Sequence, residues 1–513
     1  MTNFTHPILT TEESIELEKR ILISREMQWN AMNNAGRSLG RALLKDFCEL
    51  APLPENLRIL VLMGKGHNTG DALLAADEIA RIHPGADIHV LLTSDKKEMR
   101  TFAKRAFDDL MDTGRSTLFN LIKLKHTPFD IVIDGLLGMQ FHKPVKNDLA
   151  GVIKDVNEHR GIRFRAAVDL PSGLGDPASF RADFTYATGI AKAPLFDPAN
   201  ADLVGRIRYL DLGFFEAPYT DARAMPENII NPAILGPLRS LRYAQADKRS
   251  FGHLFVLSGS RTMPGALLMS VKAAACSGVG LITAFAPESV ATQFAAAVPE
   301  AMWVPWPETP DGGLALEGRQ LLLERLPRAN ALLCGSGIGH EPETLQLVKD
   351  VVSETELPLV LDADALVPEV ADAAAQRKPG SGAVIMTPHA GEFMRVTGQE
   401  TADYEREALL GFCRDKRVIT VLKGPHTRVC DGEEIALNTF GGPVLSRGGS
   451  GDLLAGMIGG LVAQTPQHAF EAACRGVAWH GAAADRMARI KGQVAVHTSE
   501  LLEHVGPVMR EPL

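Results

Sequence analysis

The sequence predicts two α/β domains in series, each a parallel sheet covered by helices. Three observations carry this: buried β-rich runs alternate with helical stretches in both halves, a proline-bearing segment separates the halves, and glycine-rich loops follow several of the runs. In the first half the apolar runs at 59–63, 88–92, 131–134 and 166–170 lack polar alternation, the pattern of strands buried on both faces. Pro218, Pro226, Pro232 and Pro237 then break the rhythm between 214 and 247. A linker is therefore expected at 223–240, between domains at 1–222 and 241–513. A fragment starting near Leu241 is expected to fold alone. A second alternation runs through 254–257, 281–285, 331–334, 359–361, 383–386 and 418–422. Beyond it, Cys430-Asp431-Gly432 predicts a hairpin turn, and the glycine-rich stretch 441–451 leads into an apolar helix through Val462.

Composition bounds the function. At 513 residues the chain exceeds what one core organises, and 45% hydrophobic against 22% charged residues is the balance of ordinary globular domains. The formal charge of -9 comes without a basic block, which argues against nucleic acid as the principal partner and leaves anionic substrates to be held by local dipoles. Cys48, Cys276, Cys334, Cys413, Cys430 and Cys474 form no C-x-x-C pair and read as reduced core residues. Residues 1–20 are polar and acidic where a secretory signal needs a basic start and an apolar run, and no stretch of membrane-spanning length follows. No membrane partner, a cytoplasmic location and a homo-oligomer are expected.

The most informative segment is Arg447-Gly448-Gly449-Ser450-Gly451-Asp452, which runs straight into the apolar helix. Backbone N–H groups of such a loop, together with the helix N-terminus, form an anion site without a side-chain cation. A carboxylate at Asp452 beside that site can take the proton of a substrate hydroxyl as it attacks a phosphoryl group. A tight turn with Asp452 capping the helix fits the same residues. Lys423-Gly424-Pro425-His426-Thr427 ends a strand and offers amides, an ammonium and a hydroxyl to a nucleotide phosphate. Gly335-Ser336-Gly337-Ile338-Gly339 ends another and permits close backbone approach of a ligand, though neither a Walker A nor a full G-x-G-x-x-G motif occurs.

Six motifs in order are more specific than any one of them: Leu257-Ser258-Gly259-Ser260, Gly265-Ala266, the stretch 277–283, Leu361-Asp362-Ala363-Asp364, Thr387-Pro388-His389-Ala390-Gly391-Glu392, and the loop at Asp452. Together, from about Lys248 onward, they resemble the ADP-dependent NAD(P)H-hydrate dehydratases. The resemblance implies a ribokinase-like fold and a dependence on ADP, or ATP, with magnesium. It further implies that Lys423, Gly424, Pro425, His426, Thr427 and Gly451 contact the adenine nucleotide, and that Ala266, Gly339, His389 and Asp452 contact the hydrated dinucleotide. Where the family usually has an Asn-Pro-Gly-Met-Ala-like run, this chain reads Gly442-Pro443-Val444-Leu445-Ser446. His389 also suits a turn, and Asp362 and Asp364 are read as turn-forming residues rather than magnesium ligands.

In the first half, Gly64-Lys65-Gly66-His67-Asn68-Thr69-Gly70-Asp71 lies between a strand and a helix, and Asp134 and Asp169 stand at the ends of two further strands. Carboxylates at the carboxyl ends of parallel strands converge on the usual ligand crevice. With Ser172-Gly173, the stretch 182–185 and Gly189-Ile190-Ala191-Lys192, these motifs look like the NAD(P)H-hydrate epimerase domain over roughly 8–212, which implies a Rossmann-like three-layer fold. By that resemblance Asn68, Asp134 and Ser172 ligate potassium. His67, Asn68, Thr69, Gly70, Asp71, Gly138 and Asp169 contact the substrate, with Asp169 as acid or base. The family loop is usually Asn-Asn-Gly-Gly-Asp-Gly, so His67, Thr69 and Ala72 put side chains where an asparagine and two glycines are typical. Met139 and Gln140 likewise stand where threonine and glycine are typical.

The combined expectation is a two-step repair of hydrated NADH and NADPH, the substrates NADHX and NADPHX. The first domain equilibrates R and S epimers, and the second returns the S epimer to NAD(P)H. Two rivals stay open on the residues alone: a ribokinase-like kinase of a vitamin alcohol, and a first domain that binds a dinucleotide without catalysis.

Overall fold

Alternate residues of the strand Arg58–Met63 explain the layering of the N-terminal half. Ile59, Val61 and Met63 join an apolar cluster with residues of the helices Arg25–Phe47 and His67–Ile82, while Leu60 and Leu62 join a second cluster with Val152, Ile153 and Val156. A strand apolar on both faces must be covered on both, which gives helix, sheet and helix layers. The computed structural model describes residues 4–216, 227–398 and 406–511. It divides into one unit of His6–Arg223 with Ala488–Gln493 and a second of Met1–Thr5, Ala224–Met487 and Val494–Leu513.

The N-terminal unit holds a parallel sheet in the order Ser116–Leu118, Asp87–Leu92, Arg58–Met63, Phe129–Gly135, Ile162–Val168, Phe184–Thr188 and Arg206–Leu210. The chain starts at Arg58–Met63, builds outward to one side and then returns to the other. Its switch point therefore lies between Arg58–Met63 and Phe129–Gly135, where the following loops splay apart and ligands bind. The helix Thr11–Ile21, fixed by a capping box of Thr10 and Glu13, buries Leu17. Residues 488–493 belong here because Arg489 donates to Asp46 at 2.8 Å and Gln493 to Glu49 at 2.7 Å.

The C-terminal unit repeats the logic. Its parallel strands run Met302–Trp306, Leu281–Pro287, His253–Leu257, Ala331–Cys334, Leu359–Leu361, Val384–Met386 and Val418–Leu422, with a switch point between His253–Leu257 and Ala331–Cys334. Arg428–Cys430 and Ile435–Leu437 then pair antiparallel, as the hairpin signal predicted, with Asp431 accepting from the amides of Glu433 and Glu434. The helix Ser450–Gln464 is buried at every residue from Leu453 to Ala463, which is why its sequence is apolar all round. Among the described residues no helix is long and apolar enough to cross a membrane.

Two expectations need correction. The linker read at 223–240 is structured from Glu227 on: Glu227–Ile230 is a strand parallel to Ile435–Leu437, followed by a 3-10 helix at Pro232–Arg239. Ile229, Ile230, Ile234 and Leu235 are at most 1% exposed. Pro232 signalled a break, but it occupies the start of that short helix, where a missing N–H costs nothing. Pro218, Pro226 and the rest of 223–226 lie outside the described residues. Of the cysteines, Cys334, Cys413, Cys430 and Cys474 are buried, but Cys48 is half-buried and Cys276 exposed, because an apolar neighbourhood in sequence does not fix which face of a helix a side chain takes.

Candidate active sites

In the C-terminal unit Gly449, at φ +87°, occupies the N-cap position of Ser450–Gln464, a left-handed conformation that suits glycine. No side chain caps this helix, so Asp452 is not the cap that one reading allowed. It stands in the first turn, its carboxylate near Ser336, Asp362 and Lys423. Burial, reinforced by the charge of Asp362, pushes its carboxyl up to about 6, against the opposing pull of Ser336 and Lys423. A Cβ built on Gly451 would lie 3.2 Å from Lys423 Nζ, so the ammonium sits against the glycine loop.

Lys423 is anchored by Asp362 at 3.2 Å and Glu392 at 3.6 Å. Burial works against its charge, and the two carboxylates more than offset that, leaving the ammonium above its ordinary range. Asp362, read from the sequence as a turn residue, is instead a buried hub: its carboxylate accepts from Thr387 Oγ1 at 2.6 Å, from Ser336 Oγ at 3.1 Å and from Lys423. Asp364 holds the amide of Gly339 at 3.0 Å, and Ala363 between them takes φ +52°, a conformation of about 1 kcal/mol strain that this framework imposes. A Cβ on Gly337 would meet the Ala266 Cβ at 2.7 Å, so the loop 335–339 and the first turn of Pro264–Cys276 abut. His389 caps Ala390–Thr397 by accepting the Glu392 amide, and Thr427 Oγ1 donates to Gly424 O within its own turn. Burial lowers His426 to about 4, so it is neutral.

In the N-terminal unit the switch point opens into a cavity of about 670 Å³ lined by Glu18, His67, Asn68, Asp71, Gly138 and Asp169 among others. Gly66 is the N-cap of His67–Ile82 and supplies no side-chain bond, leaving the first-turn amides without a cap. Thr69 and Gly70, read as substrate contacts, do not line the cavity. Thr69 is fully buried, its hydroxyl donating to Gly135 O at 2.7 Å and accepting from Gly64 N at 3.1 Å, and Gly70 packs against Met32. Ala72 is buried against Gly135, so two of the three departures from the glycine-rich loop face the core and only His67 reaches the cavity. First-turn positions alternate between helix faces, which a linear motif does not reveal.

Asp169 leaves its strand at φ +66°. Lys192 Nζ lies 2.5 Å from its carboxylate, both side chains nearly unexposed, and Thr188 Oγ1 donates at 3.4 Å. Burial raises Asp71 well above the ordinary carboxylate range, with the charges of Asp169 and Glu18 adding to it. Asn68, Asp134 and Ser172 do come together: Ser172 donates to Asp134 at 2.6 Å, and Leu137 O accepts from both Asn68 Nδ2 and Ser172 Oγ. Burial raises Asp134 to about 6, opposed by its Ser172 and Leu136 hydrogen bonds. Oxygen donors around one buried carboxylate, with no histidine or thiol among them, fit a hard monovalent cation. Sequence reasoning named Lys192 without a role and missed Glu18 and Thr188. Glu18 has no motif and could be found only from the face its helix turns inward.

A family model described as NAD(P)H-hydrate dehydratase matches residues 254–506, and one described as YjeF-related protein N-terminus matches 30–193. A "Bifunctional NAD(P)H-hydrate repair enzyme Nnr" of Moorella thermoacetica is 30% identical over 499 residues, covering 93% of this chain and 92% of the relative. The chain belongs to the bifunctional NAD(P)H-hydrate repair enzyme family. Another such repair enzyme, from Gloeobacter violaceus, is 33% identical over 473 residues and covers 89% of each chain. A solved ADP/ATP-dependent NAD(P)H-hydrate dehydratase of Bacillus subtilis, co-crystallized with ATP/Mg2+, is 27% identical with TM-score 0.45, covering 53% of this chain and 93% of that one. Asp452, Lys423 and Asp362 fall within the dehydratase match and His67, Asn68, Asp71, Gly138 and Asp169 within the N-terminal one, while part of the cavity lining, Glu18 included, lies outside it.

Proposed function

We propose that this chain repairs NADHX and NADPHX, its N-terminal domain, 1–222, interconverting the R and S epimers and its C-terminal domain dehydrating the S epimer at the expense of ADP or ATP. The observation that carries the reading is Asp452, a half-buried carboxylate in the uncapped first turn of a buried helix, beside a glycine loop and the Lys423 ammonium. Hydration of an enamine leaves a hydroxyl on the carbon that bears nitrogen, and hydroxide leaves poorly. Asp452 takes the proton of that hydroxyl as its oxygen attacks the terminal phosphorus of the nucleotide and the P–O bond to the leaving nucleotide breaks. The phosphate then departs from carbon, and loss of a proton from the adjacent carbon restores the double bond.

In this reading Lys423 to Thr427 and Gly451 hold the nucleotide, with Lys423 as the point charge. Ala266, Gly339 and His389 border the hydrated dinucleotide. Among the described residues no three His, Cys, Asp or Glu side chains form a metal cage, so magnesium would arrive on the nucleotide phosphates and neutralise their charge. Asn68, Asp134 and Ser172 would hold potassium, while His67, Asn68, Asp71 and Gly138 border the substrate of the first reaction. Six unpaired cysteines support a reducing, cytoplasmic setting.

Product analysis tests the reading. S epimer with ADP and magnesium should regain the absorbance of reduced nicotinamide, whereas a stable phosphorylated product would make the C-terminal domain a kinase. The pH profile gives a second check. Asp452 accepts a proton only while ionised, and its carboxyl is raised to about 6, so kcat for dehydration should fall as the pH drops through about 6 rather than through the ordinary aspartate range near 4. A flat profile down to pH 4.5 would contradict the assignment.

A further inference from the structure

A hydroxyl on a carbon that bears nitrogen inverts by leaving and returning. It takes a proton and departs as water while the nitrogen lone pair forms C=N+, then water adds to the opposite face and gives up a proton. The site must therefore supply one proton donor and one acceptor, with environments that keep their protonation states apart. Asp169 lines the cavity and is paired with Lys192 at 2.5 Å. Glu18 lines the same cavity from the helix Thr11–Ile21, whose Leu17 is buried, and its carboxyl makes no hydrogen bond or ion pair within the described residues.

We propose that Glu18 is a catalytic residue of the N-terminal site, handing its proton to the departing hydroxyl while Asp169 takes one from the water that returns. The inference rests on the epimerase reading of this unit and adds to it a residue that lies before the region matched by the N-terminal family model. Burial pushes the Glu18 carboxyl up to about 7, with Lys192 opposing and Asp169 adding, so a protonated fraction is available near neutral pH. The charges that act on it are those of Lys192 and Asp169, and its own charge in turn raises Asp71 on the helix His67–Ile82. One proton enters and one leaves in each inversion, so the pair is reset by exchange with solvent.

The test uses the full chain and a single epimer without nucleotide, which silences dehydration, and follows R and S by chromatography above the spontaneous rate. Glu18→Gln should lower kcat for exchange about a hundredfold with KM unchanged, and Glu18→Asp should recover part of the loss. The unsubstituted protein should lose activity as the pH rises through about 7, where Glu18 gives up its proton, and Glu18→Gln should abolish that alkaline limb. Full kcat in Glu18→Gln, or an alkaline limb that persists there and disappears in Asp71→Asn, would overturn the role of Glu18 alone. No exchange by the unsubstituted protein would overturn the epimerase reading and this inference with it.

Discussion

Asp452→Asn is expected to reduce dehydratase turnover by at least about a hundredfold, the scale of a lost general base, with nucleotide affinity largely kept. The substitution is nearly isosteric, and the anion site is made by backbone around Gly449 and by Lys423, none of which it replaces. It also removes a negative charge facing Asp362 and Asp364, so the thermal midpoint should not fall. Steady-state kinetics on the S epimer, with ADP binding by calorimetry, separate the two effects. Near-normal turnover would remove Asp452 from the role of base.

The second large effect concerns where the C-terminal domain begins. A fragment starting at Glu227 is expected to fold alone and dehydrate the S epimer, whereas one starting at Leu241 is expected to be largely unfolded. The shorter fragment lacks the strand Glu227–Ile230, which pairs with Ile435–Leu437, and with it Ile229, Ile230, Ile234 and Leu235. At about 1.5 kcal/mol for each buried side chain, the loss is on the order of 6 kcal/mol, comparable to the whole stability of many domains. Arg475, 6% exposed, would also lose the Ile234 carbonyl that it reaches at 2.9 Å. Denaturant melts of the two fragments decide the matter, and equal midpoints would show that the strand is dispensable.

What the sequence displayed and what it hid follow from which atoms do the work. The loop before Asp452 was legible because backbone amides bind anions only where side chains are missing, and that requirement is written as glycines. The parallel strands were legible because burial on both faces demands unbroken apolar runs. Thr69 and Ala72 looked like obstructions because the loop was read in line; in three dimensions the first helical turn aims them at Gly135 and the sheet. Asp362 looked like a turn residue because its partners Thr387, Ser336 and Lys423 come from three other loops, far apart in the chain. Glu18 was silent for the same reason, being one acidic residue on a short capped helix until the fold turns it toward Asp169.

The central claim, that one chain carries both steps, is tested most directly by giving the full-length protein a mixture of R and S epimers with ADP and magnesium and following each by chromatography. Both epimers should vanish into NAD(P)H, with R consumed faster than its spontaneous conversion to S, and omission of ADP should stop the loss while leaving R and S in enzyme-accelerated exchange. Consumption of S alone, with R declining only at the spontaneous rate, would contradict it.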